Sequence, residues 1–247
     1  MFNPNIDKIA VCIPKIKLKK NSDFSLKKYN EPYIIALSID GNSCNSPSIN
    51  FSYHPFPKVS VGDNFTLFGE GFLVYPPKNP GDFLVTSILV MESDKSIQQT
   101  GETIEQIINS TIKEQNFTNT ILSILSTVTT LPYKEILNAL TILTDCVAKF
   151  LKNNKDDELL RCEGTFLRDT NPPYNLGKTL SPISNDYIEL SINVISLVDS
   201  TTPTSFKDIV HTCIDCSSTD FSLYEMDNCN FNDKNNTYIK VIDLKSI

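Results

Sequence analysis

Phe83-Leu-Val-Thr-Ser-Ile-Leu-Val-Met91 contains no glycine, no proline and no charge, and is built from β-branched, aromatic and aliphatic residues. Such a run suits a pleated, buried strand. Toward the N-terminus the same signature returns in Ile9-Ala-Val-Cys-Ile, Tyr33-Ile-Ile-Ala-Leu-Ser-Ile, Phe65-Thr-Leu-Phe and Phe72-Leu-Val-Tyr. Turn chemistry separates these runs at Asp40-Gly41-Asn42, at Val61-Gly62-Asp63-Asn64 and at Pro76-Pro77-Lys78-Asn79-Pro80-Gly81. Short strands without intervening helices indicate antiparallel pairing rather than βαβ units.

Toward the C-terminus the period changes. From Gly101 to Asn154 apolar residues recur three and four apart: Ile104, Ile107, Ile108 and Ile112, then Ile121, Ile124, Leu125 and Val128, then Ile136, Leu137, Leu140, Leu143, Val147 and Phe150. That spacing predicts about three amphipathic helices, the last opened by Pro132. Strand signatures resume in Leu159–Leu167, Tyr187–Val198, Phe221–Met226 and Tyr238–Leu244. In Tyr187–Val198 the set Ile188, Leu190, Ile192 and Val194 alternates with polar residues, so one face should be buried. The expected fold is mainly β: an antiparallel β-sandwich plus about three helices. Residues 1–100 and 155–247 would form one discontinuous domain, and 101–154 a helical insertion.

The 247 residues carry 22 Lys+Arg against 29 Asp+Glu, a net charge of −7, which argues against a nucleic-acid partner because no basic excess is available to displace counterions. With 40% apolar and 21% charged residues the composition is globular. The apolar run Ile9–Ile13 is too short for a signal-peptide core, so the expected location is the cytoplasm, with secretion by another route left open. Five Asn-x-Ser/Thr matches, at Asn50, Asn64, Asn109, Asn116 and Asn236, follow from a chain rich in these residues.

Catalytic motifs are scarce. His54 and His211 are the two histidines; there is no His-Glu-x-x-His pair and no Gly-x-Ser-x-Gly elbow. Gly69-Glu-Gly71 lacks the third glycine of a dinucleotide loop, and Gly177-Lys178-Thr179 has Pro172 where a phosphate loop needs glycine. His211, Cys213, Cys216 and Cys229 could grip zinc, form a disulfide or remain free thiols. Cys12 and Cys146 lie in apolar runs and read as small core residues.

Acidic residues collect at strand ends: Asp40, Glu92, Asp94 and Asp169. Calcium takes six to eight such oxygens, and solvated loop acids are the alternative. With Val90-Met-Glu92-Ser-Asp94, and with the strand order of the first ninety residues and of 159–198, the chain resembles the C2-type β-sandwich. That fold presents acidic loops at one end to bind calcium and phospholipid. The chain departs from it where helices follow Asp94. No cofactor is demanded; calcium and zinc are the candidates.

Gln115–Tyr133 carries no charge, so bilayer entry has to be weighed, but its Asn, Ser and Thr residues and Pro132 make a poor spanning helix. The leading expectation is a non-enzymatic binding or assembly module contacting a protein partner or another copy of itself, with Leu122 and Leu137 as interface residues. The alternatives are a membrane-active or toxin-like protein using the 101–154 helices, and a hydrolase of unrecognised type.

Overall fold

The computed structural model describes residues 2–20, 30–44, 48–56, 58–67, 69–93, 100–114, 119, 123, 133–153, 156–197 and 238–243. In chain order its strands and longer helices are β1 (Lys8–Leu18), β2 (Pro32–Asp40), β3 (Ser48–Pro55), β4 (Asn64–Thr66), β5 (Phe72–Lys78), β6 (Phe83–Glu92), α1 (Thr100–Glu114), α2 (Tyr133–Asn153), β7 (Asp157–Leu167), β8 (Ile183–Ser184), β9 (Ile188–Leu197) and β10 (Tyr238–Asp243). Every strand pair is antiparallel. One sheet runs β4-β1-β9-β8, with β5 sharing the β4 edge of β1; the other runs β10-β3-β2-β6-β7.

Strands β2 and β6 are buried at every position, because their sheet is covered on both faces. Side chains alternate across a strand. Ile34, Ala36, Leu84, Ile88 and Val90 therefore meet Ile9, Val11, Ile188 and Leu190 of the first sheet in one apolar layer. Their neighbours Tyr33, Ile35, Leu37, Val85 and Leu89 point the other way and meet the helices. The predicted stripe of α1, namely Ile104, Ile107, Ile108 and Ile112, is buried there beside Ile136, Leu140, Leu143 and Val147 of α2. Thus two antiparallel sheets share an apolar layer, as a sandwich requires, and a helical layer closes the second sheet's outer face.

The insertion is also held by polar contacts. Tyr33 Oη donates to Asp156 Oδ2 at 2.6 Å, tying the end of α2 to β2. Thr144 Oγ1 donates to the Leu140 carbonyl and lies 2.9 Å from Ser87 Oγ of β6. Arg161 of β7 grips Glu158 through Nε (3.2 Å) and Nη2 (3.1 Å) and pairs with Asp145 of α2, while Lys152 reaches Glu158 at 2.8 Å. Burial pushes the Glu158 carboxyl up, but hydrogen bonds from Lys152 and Arg161 outweigh it and hold the group below its usual value.

Three expectations change. Two helices of the expected three lie among the described residues; the set Ile121, Ile124, Leu125 and Val128 falls outside them. Pro76 and Pro77 are part of β5 rather than of a turn. β5 pairs with β1 alone, and the register slips between Ile9 and Val11, so the missing N–H groups fall at an irregularity on an outer edge where proline is tolerated. Phe150 is 43% exposed, and the buried stripe continues through Leu151 instead. Eleven residues after Leu140 the wheel has turned just over three full turns, which aligns Leu151; Phe150 is one residue short of that alignment.

His54 of β3 faces the layer between the sheets, with Phe56 at 4.7 Å edge-on and Phe72 at 5.8 Å. Loss of hydration lowers its pKa from 6.5 to about 4. The unfolded chain therefore takes up a proton below pH 6.5 that the native ring refuses until about pH 4. Stability is complete above 6.5 and falls as the pH drops through this window, by about 3 kcal/mol at roughly 1.4 kcal/mol per pKa unit. Urea denaturation between pH 7 and 4 is expected to show this slope, and His54→Gln to flatten it. An equal slope in the variant would locate the effect elsewhere.

Candidate functional site

The strand-end acids Asp40 and Glu92 do not share a site. In the β2–β6 ladder Asp40 lies opposite Leu84 and Pro32 opposite Glu92, so the two acids stand at opposite ends of the sheet, eight residues of strand apart. That is about 27 Å, far beyond a shared ion. Asp40 is buried and already satisfied by Lys78 Nζ at 2.7 Å and Tyr75 Oη at 2.9 Å. Asp169 lies past the end of β7 and is 65% exposed, accepting from Arg168 Nε at 3.0 Å. Asp94 falls outside the described residues, as do His211, Cys213, Cys216 and Cys229. Among the described residues no group of three potential metal ligands comes together.

A cleft of about 270 Å³ opens where the edges of the two sheets part, between β7 and the segment leading into β8. Gly164 faces inward there opposite Thr86, so no side chain fills the gap; Ile88, Phe166, Ile183 and Ile192 line it. Cys162 also contributes, but burial, aided by Glu163, pushes its thiol up to about 12, which keeps it protonated and a poor nucleophile. His54 is not among the residues lining it, and His211 lies outside the described residues.

The outward side of α2 is a different surface. At 100° per residue, Glu135, Asn138, Ile142, Lys149 and Asn153 fall within one arc opposite the buried stripe, and all five are exposed. Ile142 is 54% exposed at the centre of this arc, and Phe150 flanks it. Cys146, read from sequence as a core residue, is half-buried on the same arc, while Cys12 is fully buried. Leu137 is partly buried and packs against the helix-facing core, and Leu122 lies outside the described residues. On α2 the large apolar side chains on open display are therefore Ile142 and Phe150. A helix that buries one full face would ordinarily be polar on the other, so the mixed apolar and charged arc is the signal that was available in the periodicity. No family model matches the chain, and neither a curated protein nor a solved structure does, so the C2-type resemblance brings no relative with it.

Proposed function

We propose that the chain is a non-enzymatic binding or assembly module. In this reading it is a β-sandwich, with 1–100 and 155–247 as one discontinuous unit, that displays its 101–154 insertion to a protein partner, a second copy included. The observation that carries this is the exposure of Ile142 and Phe150 on α2, whose opposite stripe is already buried in the core. Each side chain, already about half buried, would gain on the order of 1 kcal/mol from burial against a partner.

The same burial weighs against bilayer entry. No helix among the described residues is long and apolar enough to cross a membrane, and the stripes of α1 and α2 would have to be torn from the sheet to face lipid. Such a change would expose Tyr33, Ile35, Leu37 and Val85 to water.

The double variant Ile142→Asp/Phe150→Asp tests the proposal. Its melting is expected to match the parent within about 0.5 kcal/mol per site, as for surface positions. Static light scattering should at the same time lose its concentration dependence. Unchanged assembly, or a drop of several degrees in melting temperature, would count against the reading, the latter by showing that these side chains serve the fold.

A further inference from the structure

The charges beside Ile142 are arranged for a particular partner. Glu135 and Lys149 lie seven residues before and seven after it, about 20° to either side of its direction on the helical wheel, and both are exposed. We propose that two copies of the chain associate through α2, antiparallel, about a twofold axis passing beside Ile142. This rests on the binding-module reading and names its partner and register. An axis at Ile142 packs that side chain against its own symmetry mate, and sets Glu135 of each copy against Lys149 of the other.

Competing arrangements fail on charge. A twofold axis parallel to the helices sets Glu135 against Glu135 and Lys149 against Lys149. An antiparallel axis at Cys146 sets Lys149 against Leu143, which is buried. Only the Ile142 register satisfies both charges, and it does so twice, as a closed isologous interface must. Intrachain competition is also reduced: Asp145, one turn before Lys149 and so its natural helical partner, is drawn to Arg161, and Lys152 is drawn to Glu158. Opposed helix dipoles favour the same antiparallel direction.

Charge exchange read by sedimentation velocity, across a concentration series at low ionic strength, decides it. The parent is expected to form dimers. Glu135→Lys and Lys149→Glu should each raise the dissociation constant at least tenfold, since either change converts two attractive pairs into two repulsive ones. Combining them should bring it back to within about threefold of the parent. Both reversals oppose the helix dipole, so the double variant should have the least stable monomer and yet the restored dimer, which separates assembly from folding. A parent that stays monomeric, or a double variant no better than the singles, overturns the inference. If Ile142→Asp still dissociates the assembly while charge exchange rescues nothing, the face is used in another register and the broader reading stands. If Ile142→Asp leaves assembly intact, both fall.

Discussion

Leu140→Asp is expected to unfold the protein at ambient temperature. Leu140 is completely buried between α2 and the sheet, among Ile35, Leu37, Val85 and Leu89. Truncating such a residue costs about 2–5 kcal/mol, and the carboxylate adds the cost of an unpaired charge out of water. The sum is comparable to the roughly 5–15 kcal/mol that holds a domain together. Ile142→Asp, two residues along the same helix, is the control and should melt like the parent, because Ile142 is 54% exposed. Circular dichroism should show strand and helix lost together in Leu140→Asp. If the strands survived while the helices melted, the helical layer would be an ornament on an independent β core. The structure argues otherwise, since removing 101–154 would bare Tyr33, Ile35, Leu37 and Phe51.

Gly71→Ala should be nearly as damaging, through backbone rather than core. Gly71 has φ +94, and a methyl group there would overlap the Ile13 carbonyl oxygen and come within 2.6 Å of Pro14 Cα. Both obstacles are main chain of β1. That strand cannot retreat, because its other edge is bonded to β9 from Lys8 to Leu18, with the register slip that accommodates Pro14 falling between Cys12 and Lys15. A loss of about 3 kcal/mol, or roughly 6–12 °C in melting temperature, is expected. Gly62→Ala supplies the comparison: φ is +91 there but nothing lies within 4 Å, so only the conformational penalty of about 1 kcal/mol remains. Equal losses in the two variants would show that β1 can move aside.

What could be read from the chain beforehand depended on how many faces of each element are covered. Strand β9 shows clean alternation because its outer face is wet, and the sequence displays Ile188, Leu190, Ile192 and Val194 without ambiguity. β2 and β6 read as unbroken apolar runs, which signalled burial but not that helices supplied the second cover. β3 escaped notice although Ile49, Phe51 and Tyr53 alternate perfectly, because the intervening Asn50 and Ser52 are themselves buried. Polar residues in a core dilute the very composition that marks a strand. The stripes of the two described helices were legible in the periodicity, except that Phe150 is exposed and Leu151 takes its place. The candidate site was harder still. Two of the strand-end acids stand far apart in space, since Asp40 ends β2 where β6 begins and Glu92 ends β6 where β2 begins. Antiparallel pairing separates the ends of successive strands, and no property of the individual acids records it.

The pairing of β1 with β9 sets a schedule for synthesis. Leu197, the partner of Lys8, follows it by 189 positions. At about 5–20 residues per second, a ribosome needs roughly 10–40 s to deliver it. Once β4 and β5 have followed it, β1 has partners along one edge and a bare ladder of amides along the other until β9 arrives. Such an open edge invites pairing with another nascent chain. Strand β3 waits longer still, since Asp243 follows its partner Ser48 by 195 positions, so the second sheet is the last to close and each sheet keeps one strand edge bare for most of the chain's synthesis.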